Sequence, residues 1–264
     1  MEILLPYVLE SKTVDEIHLW FNPVKEEDAK WIETELPKMS DNIRIVKVEN
    51  NPYPPTNLKV FNSFYEHAQD ENAVYLRLDD DIVWLSPGAI DRVFDFRISN
   101  PEYFLVSPII MNNIVTYKML GGKLDLTKYE REKLEHECNN YRPPSTKDCY
   151  WYTSSRLALQ SHNLVLENID NPSKLFTDDK VLNLMRYSIN AICFFGMDIK
   201  HLPQFSLEEE PTLSYIMPSL FNMRNCIIGD AICAHYSFGP QKKDIDKTDI
   251  LDRYGACQKS GFSK

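Results

Sequence analysis

Along the first half of the chain, apolar positions fall into short runs whose period changes from one run to the next. Ile17, His18, Leu19, Trp20 and Phe21 form a run closed by Asn22-Pro23, which predicts a buried strand. Residues 25–39 place Ala29, Ile32 and Leu36 at helical spacing. Residues 43–48 then alternate at period 2 until a proline-rich break at 51–55. A helical period returns over 58–68, with Val60, Phe61 and Phe64 on one face. Val74-Tyr75-Leu76-Arg77-Leu78 predicts a strand, 88–96 a helix with Pro87 at its first turn, and 103–110 another apolar strand. Strand and helix in alternation predict βαβ units, and so an α/β fold with a mainly parallel sheet flanked by helices.

The second half is less regular. Residues 123–137 are charged and predict a solvated surface helix. Residues 139–153 form a loop rich in proline and aromatics, among them Tyr141, Tyr150, Trp151 and Tyr152. Such rings serve equally for packing against a sheet or for stacking on the apolar faces of sugars. A helix is predicted over 175–185, a strand over 189–195, a helix over 211–221 and a last strand over 227–238. The polar segment from about 242 is expected to be a peripheral tail. No repeat or low-complexity linker interrupts the pattern, so residues 1–264 are expected to form one domain.

Composition narrows the partners. With 43% hydrophobic and 26% charged residues, the chain has the balance of a globular protein able to bury a sizeable core. Its net charge of −10 argues against nucleic acid, whose binding rests on neutralising phosphates with basic side chains. A phosphorylated ligand is still compatible if a cation supplies the positive charge. None of the six cysteines forms a CxxC pair, and Cys193 and Cys233 lie in apolar stretches, as small buried hydrophobes do. The start, MEILLPYVLESK, carries an acid and a proline where a signal peptide would be basic and then apolar, and no apolar run approaches the ~20 residues of a membrane span. A soluble, cytoplasmic protein is the expectation.

The chemistry concentrates in LRLDDDIVWL, residues 76–85. Three consecutive carboxylates between buried-type residues repel one another and lose hydration, at several kcal/mol per ion unless something compensates. A divalent cation held through hard oxygen ligands, with room left for substrate phosphates, is the usual compensation. Strand geometry, with its period of 2, puts Asp79 and Asp81 on one side and Asp80 on the other. The alternative, a solvated acidic turn capping the helix at Pro87, fits poorly with the apolar flanks Leu76, Leu78, Ile82, Val83 and Trp84. A second acidic run, Glu208-Glu209-Glu210, precedes Pro211 and is expected in a loop entering the next helix. There Glu209 or Glu210 is a candidate general base for a hydroxyl proton, and complementing the helix dipole is the plainer role. His235 ends the last apolar strand. A lone histidine there is more often a hydrogen-bonded core residue, but beside an oxygen-rich site it is a candidate ligand favouring Mn²⁺ while permitting Mg²⁺.

LRLDDDIVWL resembles the DxD segment of GT-A glycosyltransferases, in particular a group whose strand reads RLDDDIV. The segments SINAICFFG from Ser188, EEEP from Glu208 and GDAICAHYSF from Gly229 follow in that group's order, so the likeness runs from about Leu4 to Gln241. The resemblance implies a GT-A-like fold and transfer of a sugar from a UDP-, GDP- or dTDP-linked donor to a glycan or other hydroxyl acceptor, with Mn²⁺ or Mg²⁺. It places Asp79 and Asp80 beside the ribose and phosphates, and makes Asp81 and His235 the metal ligands. The sequence starts at a segment that falls mid-helix in the family, so the likeness implies either a truncated fragment or a shortened version that folds from Ile17 onward without the first strand. Rival readings are a GT-A domain that binds nucleotide or glycan without turnover, and a metal-dependent phosphohydrolase or nucleotidyltransferase. The latter would want a second acidic cluster close to the first.

Overall fold

A computed structural model of the protein describes residues 2–23, 25–48, 57–140, 149–200, 202 and 209–261. The proline-rich break at 51–55, the first part of the aromatic loop at 141–148, and Glu208 lie outside them. The strands are β1 (Ile17–Trp20), β2 (Ile43–Val46), β3 (Val74–Leu78), β4 (Ile82–Leu85), β5 (Tyr103–Met111), β6 (Lys180–Leu182), β7 (Ala191–Phe195) and β8 (Arg224–His235). The helices before the midpoint are α1 (Leu5–Leu9), α2 (Glu26–Thr34), α3 (Asn57–His67), α4 (Ala89–Ser99), α5 (Ile114–Leu120) and α6 (Lys128–Asn140). After it come α7 (Tyr150–Thr153), α8 (Ser155–Glu167), α9 (Gly196–Ile199), α10 (Glu209–Pro211), α11 (Met217–Phe221), α12 (Gly239–Ile245) and α13 (Ile250–Gly261). A π-helical turn, Thr212–Ile216, joins α10 to α11.

β1 and β2 pair in parallel as a small sheet of their own, over Leu5, Leu19, Leu36 and Ile43. The other six strands form the main sheet in the order β3-β7-β5-β8-β4, with β6 also on β8. The strand alternation sorts its side chains into two cores. Ala191 and Cys193 of β7, Val106 and Ile110 of β5, and Cys233 of β8 face α4. Ile192 and Phe194, Leu105 and Ile109, and Ile232 and Ala234 face the other layer, built from α5, α8 and α13. Burial on both faces is why these strands read as nearly continuous apolar runs.

The sheet is mixed, not mainly parallel. β5 and β8 run parallel, but β3–β7, β5–β7, β4–β8 and β6–β8 are all antiparallel. Periodicity shows that a strand exists and is buried; it carries no information on direction, which the connections decide. β8 takes two partners on one edge because it bulges. Between the pairs Ser107↔Ile227 and Ile109↔Ile232 it spends five steps against two on β5. β6 lies against β8 before the bulge and β4 after it.

Other expectations are also corrected. The segment predicted as a helix over 175–185 is a 3₁₀ turn, Pro172–Leu175, followed by β6; short apolar runs do not distinguish the two states, and the open edge of β8 takes this one. The segment from 242 is not a peripheral tail, since Ile245, Ile250 and Tyr254 of α12 and α13 are buried in the core. Its apolar face is only one residue per turn wide, too sparse to read as amphipathic. Glu209 and Glu210 lie within α10 and not in a loop before Pro211. α8 escaped prediction because its buried face includes Ser161 and His162 alongside Leu157, Ala158 and Val165. No helix of the described residues is long and apolar enough to cross a membrane.

Candidate functional site

β3 and β4 lie at opposite ends of the strand order, yet only Asp79, Asp80 and Asp81 connect them. Four flat inter-strand gaps would span about 19 Å, more than the roughly 14 Å that four residue steps can reach. The sheet therefore curls at this end, and the triplet closes the curl as a hydrogen-bonded turn, Ile82 N–H donating to the Asp79 carbonyl at 3.3 Å. A turn is not a strand, so the period-2 facing of the carboxylates does not apply. The acids are fixed by their partners instead.

Asp79 is held by both oxygens: Oδ1 accepts from Arg77 at 2.8 Å and Oδ2 from Asn190 Nδ2 at 2.9 Å, while its N–H donates to the Asn190 carbonyl at 2.8 Å. Asp80 is exposed at the tip of the turn. The surrounding atoms still desolvate its carboxyl and raise its pKa, and the neighbouring Asp81 and Asp79 raise it further. Asp81 turns toward β8. Its carbonyl accepts from Tyr236 N–H at 2.9 Å, and its Oδ2 lies 3.1 Å from His235 Nε2.

The Asp81–His235 pair is the arrangement on which a cation could be held. The His235 side chain is 3% exposed and that of Asp81 37%, so the pair opens to solvent from the carboxylate side. The 3.1 Å separation is that of an imidazole–carboxylate hydrogen bond, so a cation taking both atoms as ligands would replace this contact. Among the described residues no third histidine, cysteine or acid joins them in a cluster. Two protein ligands still suit Mg²⁺ or Mn²⁺, which commonly take their remaining ligands from water and substrate phosphates. Nδ1 of His235 is buried with no hydrogen-bond partner among the described residues. The acceptor that usually orients a metal-bound imidazole is therefore not among them. The ring instead rests against Phe238, 4.4 Å away between centroids.

Comparison with protein-family models, with curated proteins and with solved structures finds no match.

The structure brings Glu209 to this site through a residue the sequence did not single out. The guanidinium of Arg77 bonds Asp79 on one side and Glu209 on the other, and reaches the Ile189 carbonyl at 3.2 Å. Tyr65 of α3 donates to the same Glu209 oxygen and accepts from Arg77 at 2.9 Å. Burial works against the Arg77 charge, but Glu209, Tyr65 and Asp79 outweigh it and hold its pKa well above the usual value. Glu210 pairs separately with Arg186. Both candidate bases are thus engaged by arginines. An arginine inside an apolar strand, two residues before the aspartates, was the available signal for Arg77. Nothing in sequence spacing could have paired it with Glu209.

Proposed function

We propose that this chain transfers a sugar from a nucleoside diphosphate donor to a hydroxyl acceptor, with a divalent cation. The observation that carries the reading is the Asp81–His235 pair, 3.1 Å apart where the acidic turn meets the end of β8 and continuous in sequence with two further carboxylates. When bound, the cation would supply Lewis-acid stabilisation of the charge on a departing diphosphate. The chain's own residues do the placing. Arg77 and Asn190 fix Asp79 and with it the turn; the Tyr236 backbone fixes Asp81; Asp80, exposed at the tip of the turn, is the carboxylate that would accept from a ribose or sugar hydroxyl.

A second reading gains from one observation. With Glu209 and Glu210 both ion-paired, neither carboxylate stands ready as a general base. That favours transfer without an enzymatic base, as in a retaining mechanism, or binding without turnover.

Melting curves with UDP, GDP and dTDP test the proposal. At about a hundredfold over the dissociation constant, one of them stabilises the protein by about 2.7 kcal/mol, roughly 5–10 °C, in Mn²⁺ or Mg²⁺ and not in EDTA. Asp81→Asn abolishes this shift and His235→Ala reduces it. A shift of equal size in EDTA, or full metal affinity in His235→Ala, overturns the assignment of the pair.

A further inference from the structure

The aromatic segment noted in the sequence comes to rest beside the acidic turn. Phe238 touches His235, and Tyr152 packs on Phe238 at 5.0 Å between centroids with the rings tilted by 38°. Trp151 stands edge-on to both, at 5.6 and 5.1 Å. Trp151 is buried, whereas Tyr152 and Phe238 each keep part of their surface in solvent.

This pair is held with unusual care. α7, which carries Tyr152, has four residues, far fewer than a helix needs to persist alone. The buried carboxylate of Glu137 accepts from the backbone N–H of Tyr150 at 2.6 Å and of Trp151 at 3.1 Å. At the other end sits Gln241, fully buried. Its Nε2 donates to the Trp151 carbonyl at 3.0 Å, and its Oε1 accepts from Phe238 N–H at 3.0 Å and from Asn112 Nδ2 at 2.9 Å. One side-chain amide therefore fixes the backbone beneath both rings. Buried polar groups are costly unless satisfied, and these satisfy each other with the two rings in this place.

We propose that Tyr152 and Phe238 form a platform for a pyranose ring, whose apolar C–H face lies on the aromatics while its hydroxyl edge meets the acids of the turn. The inference rests on the transferase reading for its choice of ligand. In a nucleotide sugar the nucleobase is set apart from the diphosphate by the ribose, whereas the transferred sugar is bonded to it. The acceptor must also reach that bond. A ring in contact with His235 is thus placed for a sugar and not for a base.

Saturation transfer from the protein's aromatic protons to ligand C–H protons tests this. One set of probes is the methyl glycosides of glucose, galactose and mannose. The other is the UDP-, GDP- and dTDP-sugars, each compared with its parent diphosphate in Mn²⁺. Transfer to pyranose protons is expected, with Tyr152→Ala weakening binding about tenfold and Tyr152→Phe restoring it. Tyr152→Leu, which keeps bulk without a ring, should bind as poorly as the alanine variant, and its unchanged melting temperature separates lost binding from lost fold. Weakened free glycosides identify an acceptor; weakened nucleotide sugars with unchanged diphosphates identify the donor sugar. Binding unaffected by Tyr152→Ala, transfer to nucleobase protons alone, or no transfer from any probe overturns the platform. Glycoside binding needs no cation, so it can stand where the metal-linked nucleotide shift fails, and the reverse.

Discussion

Arg77 lies between Asp79 and Glu209, and removing either partner leaves a nearly buried guanidinium with one carboxylate. Glu209→Gln retains the shape but loses the charge. It is expected to lower stability by about 2–4 kcal/mol, as for other charge-assisted contacts withdrawn from water. Glu210, more exposed and paired with Arg186, should cost less when changed to Gln. Urea denaturation of the two variants checks the order, and equal stabilities would mean that Arg77 does not depend on Glu209. The same variants bear on catalysis. A general base is worth ~10²–10⁴-fold in rate, so wild-type transfer by both would mean that neither Glu209 nor Glu210 is the base.

At the scale of elements, β8 organises the site. Its bulge lets β6 and β4 share one edge and carries His235 up to the turn. Gly229 lies in that bulge with its N–H donating to Asp179 at 2.7 Å and its carbonyl accepting from Thr177 N–H at 3.0 Å. A Cβ at this position would stand 1.8 Å from the Thr177 carbonyl oxygen. Backbone cannot yield as a flexible side chain does, so Gly229→Ala is expected to cost 1–3 kcal/mol or more, by the rule for overpacked sites at about that size. A melting temperature equal to wild type would show that the Thr177 segment is not fixed against β8. The helical run from α10 to α11 has a comparable device. Its π turn and Pro218, which has no N–H, release the carbonyls of Leu213 and Ser214, and the buried amide of Asn225 donates to both at 3.3 and 2.9 Å.

Across the whole molecule, the last helix is tied to the site strand through His162. A backbone carbonyl only accepts, so Nε2 of His162 carries the proton it donates to Tyr236 at 2.7 Å, and Nδ1 accepts from the Tyr254 hydroxyl at 3.1 Å. Burial pushes the His162 pKa down to about 4, against the pull of the Tyr236 carbonyl and with a further lowering from His235. The unfolded chain binds this proton near pH 6.5, the folded one only near 4. Stability from this residue is therefore complete above about 6.5 and falls as the pH drops to about 4, by about 3 kcal/mol at most. Denaturation across that window should show the slope, and His162→Gln, which can still donate to Tyr236, should flatten it. An unchanged slope would place the titration elsewhere.

The sequence by itself determined which stretches form β1 to β3, β5, β7 and β8, because burial on one or both faces leaves its period in the residue order; β4 it marked only as an apolar flank of the aspartates. It also marked Asp79 to Asp81, since three charges between apolar flanks are costly wherever the chain goes. Strand direction, the curl that turns the triplet into a link across the sheet, the bulge in β8 and the burial of α13 were decided only in three dimensions. Each depends on contacts between segments distant in sequence, which no local period encodes. For the same reason Arg77 joins Asp79 to Glu209, and Gln241 seats Tyr152 and Phe238 beside His235, without any trace in spacing. A charged or amide side chain is recognisable in a sequence, but its partner is chosen by the fold that makes leaving it unsatisfied too costly.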